Sequence, residues 1–171
     1  MSVSTYISAE KIQERINEIA HLVDIDYNGE EVVVIGVLNG AFMFVSDLIR
    51  AMQTPVYLDF IAVSSYEGTE STGKLKMLKD IKVDVKDKHV LIIEDIVDTG
   101  LTITKLKALM LERGPKSLKL ASLLHKPSRT EHKVDIDYLG FEIEDKFVIG
   151  YGLDFNGLYR ELPYIGEYSA S

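Results

Sequence analysis

The run Val32-Val33-Val34-Ile35-Gly36-Val37-Leu38 limits the possible folds more than any other feature of the chain. It is nearly all apolar and β-branched. Such a run suits a strand covered on both faces, as in a parallel sheet with helices above and below. Residues 89–93 and 118–124 repeat the pattern. Residues 57–63 predict another strand, and 134–138 and 147–149 predict shorter ones. Between these runs the periodicity changes to that of helices. Ser8 is a good N-cap, followed at helical spacing by Ile12, Ile16, Ile19 and Val23. Residues 42–52 predict a second helix with Phe42, Val45, Leu48 and Ile49 on one side. Residues 101–113 predict a third, with Ile103, Leu106 and Met110 along one stripe and Gly114-Pro115 ending it. Alternating strands and helices imply an α/β fold with a parallel sheet flanked by helices. At 171 residues the chain suggests one domain. Ligands in such sheets bind beyond the C-terminal strand ends. Chemistry is therefore expected just after Leu38, Val63, Ile93, Leu124 and Ile149.

Composition narrows the partners. The net charge of −8 runs against the basic balance of a non-specific nucleic-acid binder. No stretch approaches the roughly 20 apolar residues of a membrane span. The start Met1-Ser2-Val3-Ser4-Thr5 lacks the basic and apolar regions of a signal peptide. With no Cys, disulfides and thiolate chemistry are excluded. These features fit a cytoplasmic protein with no nucleic-acid or membrane partner. His21, His89, His125 and His132 show no metal-ligand spacing and read as bystanders. Neither a nucleoside triphosphate P-loop nor a dinucleotide glycine motif occurs.

The chemistry concentrates in Val90-Leu91-Ile92-Ile93-Glu94-Asp95-Ile96-Val97-Asp98-Thr99-Gly100-Leu101-Thr102. Two adjacent carboxylates follow a buried strand, then a third, then Thr-Gly-Leu-Thr at a helix start. Free amides and the helix dipole at that start favour an anion, and the two threonines add hydroxyl donors. Glu94 and Asp95 would repel a bare phosphate. They suit hydroxyl groups, a hard cation, or both. A ribose 5-phosphate, with a diol at one end and a phosphate at the other, satisfies both halves. The plain alternative is a capped helix after a strand, with solvated acids.

This segment resembles the phosphoribosyl pyrophosphate signature of the type I phosphoribosyltransferases. Its surroundings, over residues 32–160, resemble the hypoxanthine-guanine branch. The resemblance implies a type I fold, with a small hood of N- and C-terminal segments over a single domain spanning 1–171. It implies transfer of a 5-phosphoribosyl group to N9 of hypoxanthine or guanine, giving the nucleoside monophosphate and pyrophosphate in purine salvage. It also implies Mg²⁺, and a homodimer or homotetramer. Glu94 and Asp95 would hold the donor ribose and the metal, and Asp98 would exchange a proton at purine N7. Asp98, Thr99, Gly100, Leu101 and Thr102 would bind the 5′-phosphate. Leu38-Asn39-Gly40 would bind pyrophosphate through its backbone, with Arg160 reaching the same group. Many members have a basic residue where Asn39 stands, and this chain departs from that pattern there. Ser65-Tyr66 would open a mobile lid within the polar stretch 64–78. Lys126 would donate to the purine 6-oxo group, Phe147 would stack on the base, and Val148 would meet its edge. Asp154 would complete the purine pocket and the metal's surroundings. A regulator that senses the donor without catalysis, or an enzyme preferring xanthine, remains an alternative.

Overall fold

A computed structural model describes residues 2–65 and 75–169. The elements, in order, are β1 (Ser2–Ile7), α1 (Ala9–Tyr27), β2 (Val32–Val37), α2 (Phe42–Ala51), β3 (Val56–Ser65), β4 (Leu75–Lys79), β5 (His89–Val97), α3 (Leu101–Glu112), β6 (Ser117–His125), β7 (Tyr138–Glu142), β8 (Val148–Ile149) and β9 (Ile165–Ser169). The larger sheet runs β4-β3-β2-β5-β6-β7 and is parallel except for β4, which pairs antiparallel with β3. The smaller sheet, β1-β9-β8, is antiparallel and joins the two terminal segments.

The β-branched runs do bury both faces. Along β2, Val32 and Val34 pack with α1 and α2, whereas Val33, Ile35 and Val37 pack with α3. The same alternation sends Leu91 and Ile93 one way and Val90 and Ile92 the other. This is the period of two that a pleated strand imposes. In α1, Ser8 accepts from the Lys11 amide as N-cap, and Ile12, Ile16, Ile19 and Val23 are buried. Asn28, in the left-handed conformation, ends the helix.

Several expectations need correction. The polar stretch 64–78 is not all loop. Strand β3 runs on to Ser65, and residues 75–79 return as β4, with Ser65 opposite Leu75. Tyr66 lies outside the described residues. The strand expected at 134–138 forms instead at Tyr138–Glu142, because β6 pairs with it from Ala121 onward. Phe42 does not belong to the buried face of α2; Phe44, Val45 and Leu48 do. Residues 147–149 supply β8 to the smaller sheet rather than a strand to the larger one. Finally, β5 does not stop at Ile93. It pairs with β6 through Glu94 and again at Ile96 and Val97, so the acidic pair sits on the strand itself.

Candidate active site

The ends of β2, β3 and β5 meet the start of α3 around a cleft of about 220 Å³, lined by Val37, Val63 and residues 94–103. Glu94 is buried at its floor. Its Oε1 accepts the Asp95 amide at 2.9 Å. Burial pushes the Glu94 carboxyl well above the usual carboxylate range, and the neighbouring Asp95 and Asp98 push it further. Asp95 accepts the Ile96 amide at 2.7 Å through Oδ1. Its other oxygen lies against the Cα of Gly40, where a side chain would overlap it. The turn after β2 and the acidic pair of β5 thus touch. The peptide between Leu38 and Asn39 is cis.

Asp98 accepts the Thr99 amide at 2.6 Å. It caps that one residue and not α3, whose N-cap is Gly100, at φ 84°. Gly100 has no side chain with which to cap α3, and the Leu101 amide donates to Thr99 Oγ1 in a long bond of 3.4 Å. The next amides of the helix start are left for an anion. The Thr99 carbonyl accepts the amides of Glu131 and His132 at 3.0 and 2.8 Å, which fixes this turn from behind.

The remaining candidates converge through contacts that sequence spacing does not reveal. Lys126 donates its amide to the Val97 carbonyl at 3.0 Å. Its side chain is 12% exposed, and its ammonium lies 3.5 Å from Asp145. Arg129 reaches the other oxygen of Asp145, also at 3.5 Å. Phe147 is half exposed, so it is not a core residue. Its ring meets Phe155 and Tyr168 edge-on, at 5.6 and 5.9 Å, while those two stack at 4.8 Å. Val148 is buried and pairs with Glu167 across β8 and β9. Asp154 accepts the Gly157 amide at 2.9 Å, forming a turn, and also lies 3.4 Å from Arg160. Arg160 donates to the Gly152 carbonyl at 2.5 Å. Gly152, at φ 97°, abuts the Gly40 carbonyl so closely that any side chain would collide with it. Arg160 and the turn after β2 are therefore joined through Gly152.

Sequence reasoning missed Asp145, Gly152, Phe155 and Tyr168. Asp145 carried only a weak signal, as one acid within Glu144-Asp145-Lys146. Among the described residues, no group of three or more His, Asp or Glu side chains is arranged to hold a metal ion by itself. No described helix is long and apolar enough to cross a membrane.

A mostly parallel sheet thus carries an acidic pair and a helix start side by side at its C-terminal edge. The family described as phosphoribosyl transferase domain matches residues 2–156. A hypoxanthine-guanine phosphoribosyltransferase of Staphylococcus epidermidis is 44% identical over 165 residues, covering 96% of this chain and 92% of its own. A hypoxanthine phosphoribosyltransferase of Salmonella typhimurium is 43% identical over 169 residues, covering 97% and 95%. A crystal structure of a hypoxanthine-guanine phosphoribosyltransferase from Bacillus anthracis superposes with a TM-score of 0.93 at 46% identity, covering 97% of this chain and 98% of that one. The chain belongs to the phosphoribosyltransferase family, in its hypoxanthine-guanine branch.

Proposed function

We propose that this purine-salvage transferase moves the 5-phosphoribosyl group of phosphoribosyl pyrophosphate to N9 of hypoxanthine or guanine, forming IMP or GMP. The observation that carries this reading is the meeting of the Glu94-Asp95 pair and the start of α3 in one cleft. The bond from ribose C1′ to pyrophosphate breaks, and the bond from C1′ to N9 forms. Glu94 and Asp95 hold the ribose hydroxyls, and the negative charge the pair carries favours the cationic character that develops at C1′. Asp98 takes the proton from N7 as the base attacks. Residues 98–102 bind the 5′-phosphate. The backbone of Leu38, Asn39 and Gly40, together with Arg160, binds pyrophosphate. Arginine's planar fork suits phosphate oxygens. Lys126 has donors only, so it accepts a 6-oxo group and disfavours the amino group of adenine. Phe147 stacks on the base, and the backbone of Val148 meets its edge. Ser65-Tyr66 begins a lid that keeps water from the donor.

Mg²⁺ fits the donor set. It favours hard oxygens and takes one or two carboxylates alongside substrate phosphates. Glu94, Asp95 and Asp154 provide such oxygens, and a cation near Glu94 would offset the burial and the neighbouring carboxylates that favour its protonated form. When bound, the ion neutralises charge on the departing pyrophosphate. Residues 1–171 act as one domain, with the terminal segments forming a hood over the base. The enzyme is cytoplasmic and works as a homodimer or homotetramer; the exposed Phe42 beside an apolar cavity supports such contacts. Mixing the protein with phosphoribosyl pyrophosphate and hypoxanthine or guanine tests the reading. IMP or GMP and equimolar pyrophosphate should form with Mg²⁺ and not after chelation. Donor binding without nucleotide formation would overturn it.

A further inference from the structure

A second cavity, of about 570 Å³, shares no lining residue with the cleft; Phe42, Asp47, Tyr151 and Pro163 are among the residues that line it. One polar contact crosses between α2 and the hood there. Tyr151 donates its hydroxyl to Asp47 Oδ2 at 2.5 Å. Arg50 donates to Oδ1 of the same carboxylate at 2.5 Å, so both oxygens of Asp47 are engaged. Tyr151 is 5% exposed. Burial first, and the Asp47 bond second, push its phenol far above the ordinary value. It is thus a fixed neutral donor.

Its position along the chain gives this bond a consequence. Asp47 belongs to the helix that begins just after Leu38-Asn39-Gly40. Tyr151 directly precedes Gly152, whose backbone rests on the Gly40 carbonyl and accepts the Arg160 guanidinium. The Tyr151 amide also donates to the Leu162 carbonyl at 2.8 Å, and the Gly152 amide to the Arg160 carbonyl at 2.9 Å. The short segment 150–162 therefore forms one closed unit, and its side-chain tie to α2 is the phenol of Tyr151.

We propose that the Tyr151–Asp47 hydrogen bond is a positioning strut: it sets Gly152 and Arg160 against the turn after β2, so that both grip the donor's pyrophosphate together. The proposal rests on the reading of Arg160 and residues 38–40 as the pyrophosphate site. Neither Tyr151 nor Asp47 lines the cleft. They act through Gly152, and their loss should weaken pyrophosphate recognition while sparing the base. A shift of about 1 Å in a positioned group can cost on the order of a hundredfold. One lost strut in an otherwise packed unit should cost less, about tenfold.

The test compares Tyr151→Phe, Asp47→Leu, the double variant and Asp47→Asn, each checked for folding by thermal unfolding. Tyr151→Phe is expected to raise KM for phosphoribosyl pyrophosphate, and for pyrophosphate in the reverse reaction, about tenfold. KM for hypoxanthine should change less than twofold. Asp47→Leu should match it, the double variant should add nothing more, and Asp47→Asn, which keeps an acceptor, should recover most of the loss. Equal rises in both substrates' KM, or additive losses in the double variant, would overturn the strut and leave only a packing role. Arg160→Ala run alongside separates the two readings. If it leaves the donor KM unchanged, the pyrophosphate assignment fails. If it raises that KM while Tyr151→Phe does not, only the strut fails.

Discussion

On the side proposed to hold the donor's ribose and 5′-phosphate, every group from Glu94 to Thr102 comes from a single stretch of chain, the end of β5 and the start of α3. On the base side, Phe147 leans on Phe155 and on Tyr168 of β9, while Lys126 pairs with Asp145. One wall is a local motif held by the central strands of the larger sheet. The other is assembled from separate parts of the chain around a three-stranded sheet that joins the two terminal segments. A continuous motif fixes the geometry of its own groups. An assembled wall is only as well placed as the packing behind it. The ribose and 5′-phosphate side should therefore tolerate almost no change, whereas changes at Phe147 and Lys126 should be tolerated, with effects mainly on the base.

The sharpest test of that contrast is Asp98→Asn. Turnover should fall roughly 10²–10⁴-fold, the range for loss of a positioned proton acceptor. Calorimetric titration should still find donor binding close to wild type. Full turnover in this variant would remove Asp98 from the reaction. Next comes Phe147→Ala. Base–aromatic stacking contributes roughly 1–3 kcal/mol, so KM for the base should rise about 5- to 150-fold. The donor KM should hold steady, and a matching rise there would erase the distinction between the walls. A smaller change is expected for Lys126→Gln. A carboxamide both donates and accepts. Discrimination between hypoxanthine and adenine should relax roughly tenfold, the worth of about one hydrogen bond.

The smallest effect lies away from both walls. Burial alone would raise the Asp24 carboxyl, but the Thr54 hydroxyl and the Gln53 and Thr54 amides outweigh it and hold it below the ordinary value of 3.8. A carboxylate lowered in the folded state adds stability above its unfolded pKa and loses it as pH falls through the folded one. Asp24→Asn should cost roughly 1–2 kcal/mol at neutral pH. The gap from wild type should narrow below about pH 4 in denaturant titrations, while turnover at neutral pH stays unchanged.

The same contrast explains what could be read from the amino-acid order. The placement of the proposed donor wall was legible because a β-branched run, two acids and Thr-Gly-Leu-Thr are contiguous, and the spacing alone puts them at a strand end and a helix start. The larger sheet was legible for the same reason, through Val32 to Val37 and its two counterparts. The smaller sheet was not. Residues 2–7 and 165–169 pair only with each other and with β8, and neither carries a pattern strong enough to mark a strand alone. The register of β7 escaped because Ala121 on β6, not local propensity, selects Tyr138 as its partner. Phe42 misled because helical spacing places it near Val45, yet it opens the helix at the surface. Asp145 and Gly152 matter through contacts with Lys126 and Gly40, far from them in sequence.

The central claim is that a donor wall for phosphoribosyl pyrophosphate faces a base wall for 6-oxopurines. Its most direct test is kcat/KM for hypoxanthine, guanine, xanthine and adenine, measured side by side at saturating donor and Mg²⁺. Efficient turnover of hypoxanthine or guanine, with adenine at background, is the predicted result. Adenine turned over as well as hypoxanthine would contradict the account.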